Sequence, residues 1–282
     1  MADYPFDQAW QHESERLIAL EQGLDPGTIR HLEALGVGPG WRCWEVGAGA
    51  GSIAAWLCQR VGDEGHVMAT DLEMTFLERL SYPNLALLRH DIVADDLPEG
   101  GPFDLVHARW VLEWIPDRRK ALARMVSALK PGGWLLVEAS DFVTLFHGCQ
   151  SDIVRKVLTA FVEAARRVLG PSARTDHSQY GRRLFDDVSA QDLLDVEALG
   201  RVEMMRGGGP HCTSLRLAIQ KTAGFAIKSG AIMAEEVEEA LARLNDPAFA
   251  TMSAITMAVW GRRPPGGAQA DQGADHRHSR RG

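Results

Sequence analysis

The strongest structural signal in the chain is Trp44-Glu-Val-Gly-Ala-Gly-Ala-Gly-Ser52, where an acidic residue stands two positions before three alternating glycines. The residues just before the glycines, Cys43 to Val46, are apolar apart from Glu45. Ser52 to Cys58 carries apolar residues at helical spacing, so a strand ends and a helix begins across the glycines. Glycines at such a turn let the backbone bend tightly and approach a ligand closely. The stretch therefore predicts a nucleoside-binding turn.

Two short apolar runs that end in carboxylates follow the glycines. His66-Val-Met-Ala-Thr-Asp71 places Asp71 about 20 residues beyond the turn, the separation expected for an acid that binds a ribose. Asp71 would accept hydrogen bonds from two ribose hydroxyls. Ala86-Leu-Leu-Arg-His-Asp91-Ile92 is a further predicted strand with a carboxylate just past its end, where an adenine amino group could donate to it. The competing interpretation is that both aspartates only cap the following helices.

Strand and helix signals alternate from residue 42 to 139, as a parallel doubly wound sheet requires. Phe103 to Arg109 is the predicted fourth strand, and a helix follows it. The Pro-Gly-Gly turn at residues 131–133 then closes that helix and opens the fifth strand. The predicted fold class is α/β.

Together these residues resemble the class I S-adenosylmethionine-dependent methyltransferases, over roughly residues 1–262. The resemblance implies a doubly wound, mostly parallel seven-stranded Rossmann-like sheet with N-terminal helices, a helical substrate cap and S-adenosyl-L-methionine as cofactor. Glu45 and the glycines would shape the pocket for the methionine moiety, and the backbone at residues 107–109 would receive its amino group. The implied cofactor contacts are Tyr4, Trp10, Glu45, Gly47, Ala48, Gly49, Gly51, Ser52, Asp71, Leu72, Asp91, Ile92, His107, Ala108 and Arg109.

Several shorter segments resemble a narrower group of these methyltransferases. Tyr4-Pro-Phe-Asp, Leu24-Asp-Pro-Gly-Thr, the residues from Trp41 onward and the ending Ala258-Val-Trp-Gly-Arg-Arg-Pro are similar to small-molecule methyltransferases of actinobacteria and other high-GC bacteria. Many of those enzymes act in secondary metabolism. The implied reaction is transfer of a methyl group to a small-molecule acceptor, of natural-product type and possibly aromatic.

Two other functions compete for the same turn. The glycine-rich turn of an NAD-dependent oxidoreductase has glycine at its first, third and sixth positions, but the sixth position here is Ser52. A carboxylate such as Glu45 inside a buried strand is costly without a partner, and an oxidoreductase gives it none. A cationic sulfonium ligand would supply that partner. The third hypothesis is a protein that binds the cofactor and transfers nothing.

Composition agrees with a compact enzyme. The chain has 282 residues, 45% of them apolar, and a formal net charge of -8. The negative charge argues against a nucleic acid partner, since phosphate binding needs a basic face. No apolar run approaches the ~20 residues of a membrane span and no signal pattern opens the chain, so we expect a cytoplasmic monomer or homodimer without membrane contact. The cysteines lack metal-ligand spacing and are expected to be buried thiols: Cys43, Cys58, Cys149 and Cys212.

The chain divides into five expected segments. The first contains two helices, residues 11–22 and 27–35, with the second opened by Asp25-Pro-Gly-Thr28. The fourth contains the sixth and seventh strands, at 196–206 and 251–260, with helices at 212–228 and 234–244 between them. The segments are N-terminal helices over the cofactor (1–40), the cofactor-binding core (41–140), a substrate cap (141–190), C-terminal strands and helices that complete sheet and pocket (191–262), and a disordered tail (263–282).

Methyl transfer is an in-line displacement, so the protein must hold the nucleophile about 3 Å from the methyl group and exclude water. A base is needed only where the acceptor must lose a proton, and histidine has the best-matched pKa. A metal is not expected, because His-Ala-Arg at 107–109 offers no carboxylates to a hard cation. The candidate catalytic residues are His107, Glu113, Asp141, His147, His177 and Tyr180.

Two pairs of aromatic residues are candidates for the acceptor site. Trp110 and Trp114 are four apart, on one face of the helix expected after Arg109, and Phe142 and Phe146 repeat this spacing. Such pairs could sandwich a flat, apolar acceptor or a π-rich ring. Core packing explains them equally well.

Overall fold

The computed structural model describes residues 11–168 and 177–266 of the chain. The strands are β1 (Arg42–Val46), β2 (His66–Asp71), β3 (Leu85–Arg89), β4 (Phe103–Arg109), β5 (Leu129–Asp141), β6 (Leu194–Arg201), β7 (Met204–Arg206), β8 (Ala250–Met252) and β9 (Ile255–Arg262). The α-helices are α1 (Glu13–Ala34), α2 (Ser52–Val61), α3 (Arg118–Ala128), α4 (Val143–Gly148), α5 (Asp152–Val168), α6 (Gly181–Ser189), α7 (Pro210–Lys228) and α8 (Ala234–Asn245).

The central sheet has seven strands in the order β3-β2-β1-β4-β5-β9-β6. Neighbouring strands run parallel except β9, which is antiparallel to both β5 and β6. The predicted Rossmann-like α/β class is confirmed. Strand order reverses between β1 and β4, and in such sheets ligands bind beyond the carboxyl ends of the strands at this point.

The N-terminal region corrects the predicted pair of helices. α1 runs without a break from Glu13 to Ala34 and contains Pro26. The ring of Pro26 lies on the exposed face, while the opposite face, with Gly23, Leu24 and Thr28, is buried. α1 packs along α7, and burial of this face outweighs the hydrogen bond that a proline removes from a helix.

The last strands also differ from the prediction. The expected sixth strand, 196–206, is divided into β6 and β7, and the expected seventh, 251–260, into β8 and β9. β7 pairs only with β8, in a separate two-stranded sheet. The division lies at Glu203, whose backbone N–H donates to Ser253 Oγ at 3.0 Å and whose carbonyl accepts from Ser253 N at 2.8 Å. The sequence pattern did not show this side-chain bond.

Three buried clusters form the interior. One face of the central sheet packs against α1 and α2, and the other against α3 and α6. The third cluster lies among α4, α5, α7, α8 and β7, apart from the sheet. Since α6 packs on β5 and β9, residues 181–189 lie in the sheet layer and not in the expected cap, whereas α7 and α8 pack with α5. We call α4, α5, α7 and α8 the helical layer.

All four cysteines are buried and unpaired, as predicted. In the part of the chain that the structure describes, no helix combines the length and the apolar character needed to cross a membrane.

Candidate active site

The glycine turn connects β1 to α2, and its three glycines differ in the space beside their Cα atoms. All have positive φ, at 68°, 61° and 93° for Gly47, Gly49 and Gly51. A Cβ on Gly47 would lie 2.3 Å from Val111 Cγ2, and one on Gly51 would lie 2.4 Å from Leu80 Cδ1. A Cβ on Gly49 would meet no atom within 4 Å. Packing within the chain therefore requires the outer two glycines, and Gly49 faces open space where a ligand could approach.

Asp71 lies at the end of β2, against the same turn. Its Oδ2 accepts a hydrogen bond from Gly49 N at 2.9 Å, and its Oδ1 accepts one from Glu73 N at 3.0 Å. Burial raises the pKa of the Asp71 carboxyl, although these backbone bonds act in the opposite direction. A carboxylate has about four lone-pair sites, so each oxygen can accept a further donor.

Asp91 is placed differently, as a cap of the turn after β3. Its Oδ1 accepts from Val93 N at 2.8 Å and from Ala94 N at 3.3 Å. Ile92 beside it is buried, at 5% exposure. The contacts of Asp91 are thus those of the capping interpretation, and its role toward an adenine stays a prediction.

A buried ion pair lies beneath the turn, between β1 and β4. Glu45 and His107 are register partners on these strands, and Glu45 Oε2 lies 2.6 Å from His107 Nδ1. On its other side, His107 Nε2 lies 3.5 Å from Glu138 Oε2 of β5. Burial alone would lower the pKa of His107, but the two carboxylates outweigh it and raise this pKa to about 9. His107 is therefore a buried cation at neutral pH.

The ion pair is extended to α1 through Thr28 and Arg109. Thr28 Oγ1 donates to Glu138 Oε2 and accepts from Arg109 Nη1, the latter at 2.9 Å. Arg109 Nη2 donates to Asp25 Oδ1 at 2.8 Å, and Ser52 Oγ donates to the same oxygen at 3.0 Å. These bonds fasten α1 to the sheet and to the first residue of α2. We call Glu45, His107, Glu138, Arg109 and Asp25 the charge cluster.

The charge cluster carries an excess of negative charge. It contains three carboxylates, at Glu45, Glu138 and Asp25, but only two cations, His107 and Arg109. Burial would raise the pKa of Glu138, but His107, Arg109 and Thr28 outweigh it and lower this pKa. Glu138 Oε1 is buried without a hydrogen-bond partner among the described residues. Buried negative charge of this kind is costly unless a cation or donor compensates it.

Glu21, one turn before Asp25 on α1, also reaches the glycine turn. Its Oε1 accepts from Ser52 N, the first amide of α2, at 3.3 Å. Burial raises the pKa of Glu21, against the bond from Ser52. α1 thus covers the start of α2 with two acidic side chains.

The segment after β4 does not form the predicted helix. A short 3₁₀ turn, Leu112–Trp114, follows instead, and α3 begins only at Arg118, where the Asp117 side chain accepts from Lys120 N. The expectation that Trp110 and Trp114 share a helical face is therefore wrong. Trp110 has a positive φ of 57°, which interrupts the helical path.

Three of the four candidate aromatic residues come together. The ring centroids of Trp110 and Phe142 are 6.1 Å apart with a tilt of 51°, and Phe142 stacks on Phe146 at 6.1 Å and 29°. Each of the three is partly buried. We call Trp110, Phe142 and Phe146 the aromatic group.

Two candidate catalytic carboxylates are held by neighbours. Glu113 is buried, and its Oε1 accepts from Ser140 N at 2.9 Å and from Ser140 Oγ at 3.1 Å. Burial raises the pKa of Glu113 to about 7. Asp141 binds the guanidinium of Arg182 at 2.7 and 3.1 Å and accepts from Val143 N, the first amide of α4, at 2.9 Å. Asp141 thus has a structural role in starting α4.

Tyr180 does not lie in the helical layer. It is fully buried on the α3 and α6 side of the sheet, with its hydroxyl donating to Asp187 at 3.2 Å and the Arg118 guanidinium 4.1 Å from its ring centroid. Burial raises the pKa of Tyr180, so the phenol stays protonated. The expectation that Tyr180 serves the cap is wrong, because the chain returns to the sheet before α6.

The remaining predicted residues are dispersed. His147 is exposed in the last turn of α4. His177 belongs to a short 3₁₀ turn, and its side chain lies outside the described residues, as do Tyr4 and Trp10. Leu72 is exposed beside Asp71, at 42%, while Ala48 and Ala108 are buried.

Sequence reasoning missed the contributions of Glu138, Thr28, Asp25 and Glu21. Glu138 offered a signal, as a lone carboxylate in an apolar strand, of the same kind that singled out Glu45. The α1 residues offered none, because Asp25 and Thr28 fit a helix start equally well.

Comparisons with known proteins agree with this geometry. A family model described as a methyltransferase domain matches residues 44–135. Methyltransferase str2 of Strobilurus tenacellus is 27% identical over 192 residues, which cover 67% of this chain and 66% of that protein. Alignments with the first curated relatives span between 44% and 66% of those relatives' own length.

Solved structures share the fold at low identity. Phosphoethanolamine N-methyltransferase 2 of Haemonchus contortus, in complex with phosphomonomethylethanolamine and S-adenosylhomocysteine, has a TM-score of 0.54 and 18% identity, covering 90% of this chain and 58% of that one. The [4+2]-cyclase SpnF has a TM-score of 0.50 and 16% identity, covering 87% and 83%. The match over residues 44–135 to the model of a methyltransferase domain favours the methyltransferase hypothesis over the oxidoreductase alternative. The chain is similar to proteins named methyltransferases and shares the fold of S-adenosylmethionine-dependent methyltransferases.

Proposed function

We propose that this chain transfers a methyl group from S-adenosylmethionine to a small-molecule acceptor beyond the carboxyl ends of β1, β4 and β5. The observation that carries the proposal is the charge cluster beneath the glycine turn, with its excess of negative charge. S-Adenosylmethionine supplies a methyl group on a cationic sulfur and carries an ammonium group. A buried site with one carboxylate more than its cations suits such a ligand and disfavours the pyrophosphate of a dinucleotide.

The residues of the turn fit the cofactor. Gly49 has free space beside its backbone, so a ligand can approach closely there. Asp71 is held against that glycine through Gly49 N and keeps acceptor capacity for the ribose hydroxyls. Since burial disfavours the charged form of Asp71, hydroxyl donors from a ligand would stabilise its carboxylate.

The acceptor is a small molecule, in our proposal one of secondary metabolism. The formal net charge of -8 is unsuited to a nucleic acid. The aromatic group stands where β4 and β5 end and offers an apolar surface for an acceptor. The similarity of the chain's motifs to small-molecule methyltransferases supports the same assignment.

Catalysis by positioning is sufficient for an acceptor that is already nucleophilic. Where a proton must leave, the contacts narrow the candidates for a base. His107 is enclosed by two carboxylates, Asp141 is paired with Arg182, and Tyr180 lies in the core. Glu113, whose pKa of about 7 suits proton exchange at neutral pH, and the exposed His147 are the better candidates.

Titration of S-adenosylhomocysteine into wild type and the Asp71→Ala variant tests the cofactor site. The variant should lose about 2–4 kcal/mol of affinity, the range for charge-assisted hydrogen bonds, while the fold is retained. Glu73→Ala is the matched control, because it removes a neighbouring carboxylate but keeps the backbone N–H that donates to Asp71. Unchanged affinity in Asp71→Ala, or tight binding of NAD instead, would overturn the proposal.

A further inference from the structure

Trp110 has an unusual backbone conformation that its neighbours impose. Apart from glycines, only Trp110 and Asp195 have positive φ in the described part of the chain. A bulky residue in this region is strained and persists only where the surrounding structure holds it. Trp110 N donates to Glu138 O at 2.8 Å, and the flanking residues are fixed as well. Arg109 is bonded to Asp25, and Val111 lies against Gly47. The strained backbone interrupts the helical path at Trp110.

The indole of Trp110 carries an unused donor. Its Nε1 is buried and has no hydrogen-bond partner among the described residues. A buried N–H without a partner is costly, and tryptophan N–H groups usually find one. A strained residue with an unsatisfied donor, in a ligand-binding region, is better explained by a ligand atom than by packing.

The rings around this donor form an apolar surface between two parts of the molecule. Phe142 and Phe146 pack against the buried cluster of the helical layer, whereas Trp110 follows β4 directly. The aromatic group thus joins the carboxyl edge of the sheet to the helical layer. Flat rings favour offset or tilted contacts at such spacings.

The aromatic group is also next to the proposed cofactor site. Val111, the residue after Trp110, packs on Gly47 of the glycine turn. Trp110 is therefore bonded directly to a residue that contacts the turn. This is the place that an acceptor must occupy if the proposed function is right.

We propose that the methyl acceptor is a flat aromatic compound with a carbonyl oxygen that accepts a hydrogen bond from Trp110 Nε1. This inference rests on the proposed function and narrows its substrate class. An indole N–H can only donate, so it selects an acceptor atom. A neutral carbonyl fits better than a carboxylate, because the adjacent charge cluster has excess negative charge and repels anions.

Two flat bicyclic probes of similar size test the proposal: coumarin, which has a carbonyl oxygen, and naphthalene, which has none. Both are titrated into the protein saturated with S-adenosylhomocysteine. Coumarin should bind about 10-fold more tightly than naphthalene, as one buried hydrogen bond provides. Trp110→Phe should abolish this preference and leave naphthalene affinity nearly unchanged. Trp134→Phe is the matched control, since Trp134 lies near the opposite end of β5 against Arg262.

A measurement on the wild-type protein is independent of the variant's stability. With ¹⁵N-labelled tryptophan, coumarin should move one indole N–H signal downfield, and naphthalene should not. Equal affinity for the two probes, no binding of either, or a preference that survives Trp110→Phe would each overturn the proposal. Failure of S-adenosylhomocysteine to bind would instead overturn the proposed function, so the two failures are distinguishable.

Discussion

Two buried glutamates lie near the end of β5: Glu138 belongs to this strand, and Glu113 accepts hydrogen bonds from its Ser140. Their surroundings favour opposite protonation states. Glu138 contacts His107 and accepts from Thr28, and these partners together with Arg109 lower its pKa. Glu113 accepts from the backbone and hydroxyl of Ser140, and burial raises its pKa to about 7. Burial is nearly complete at both side chains, so the partners and not the depth make the difference.

The surroundings of the two glutamates suit different kinds of chemistry. The charge cluster keeps fixed negative charge beneath the glycine turn, which favours a cationic ligand. At Glu113 burial outweighs the bonds from Ser140 and the nearby Arg118, so this carboxyl can exchange a proton near neutral pH.

Loss of the cation at His107 should have the largest effect. His107→Gln leaves Glu45 and Glu138 without their shared partner and should lower the free energy of unfolding by about 3–5 kcal/mol, the cost of breaking a buried pair. Urea unfolding followed by circular dichroism measures it. The double variant Glu45→Gln/His107→Gln also removes the charge of Glu45, so it should recover part of the stability that His107→Gln loses. An unchanged midpoint in the single variant would show that the pair contributes nothing.

The pH dependence of stability should reveal the same cation. The pKa of His107 is raised from 6.5 to about 9, so its contribution is complete below pH 6.5 and is lost as pH rises through 9. The expected loss of unfolding free energy over this window is about 3 kcal/mol. The loss should be absent in His107→Gln. A wild-type stability that stays level from pH 6.5 to 9.5 would contradict a charged His107.

Removal of the Thr28 hydroxyl should weaken the attachment of α1. Thr28→Val keeps the shape but loses the bonds to Glu138 and Arg109, at a cost of about 2 kcal/mol. Affinity for S-adenosylhomocysteine should fall as well, because α1 is held to α2 through Asp25. Thr213→Val, on α7 away from the charge cluster, is the control. Equal effects of Thr28→Val and Thr213→Val would show that the hydrogen bonds of Thr28 do not attach α1 to the sheet.

Neutralising the other glutamate should have the smallest effect and the opposite sign. The raised pKa of Glu113 means that the folded state loses stability as pH rises from 4.5 through 7. Glu113→Gln removes a burial cost of at most about 3 kcal/mol at pH 8, but its neutral amide oxygen accepts from Ser140 more weakly than a carboxylate does. The net gain in the free energy of unfolding should be about 1 kcal/mol. Destabilisation by this variant at pH 8 would mean that the carboxylate is already ionised and well paired.

The periodic parts of the fold could be predicted from the sequence, and the long-range contacts could not. The strands β1 to β4 are marked by short apolar runs and lie where these predict them. The expectation that residues 131–133 form a turn before the fifth strand is wrong, because β5 begins at Leu129 and contains them. The passage of α1 through Pro26 was missed, because burial against α7 overrides a local breaker. The bond between Glu203 and Ser253 that divides two predicted strands spans residues far apart in sequence.

In the candidate site, too, local patterns could be predicted from the sequence and long-range contacts could not. Glu45, Gly49 and Asp71 stand out in sequence because each breaks a local pattern. Their partners on α1 carry no such mark, since Asp25 and Thr28 meet Arg109 only after the sheet and helix pack together.

The most direct test of the account is a transfer assay, because a [4+2]-cyclase shares this fold and binding alone does not establish transfer. Wild type and Gly49→Val are incubated with S-adenosylmethionine and a small-molecule extract of the source organism, followed by mass spectrometry. Wild type should form S-adenosylhomocysteine while one extract compound gains one methyl group, and Gly49→Val should do neither. Compounds that change without gaining a methyl group, while S-adenosylmethionine is not consumed, would contradict the proposed methyl transfer.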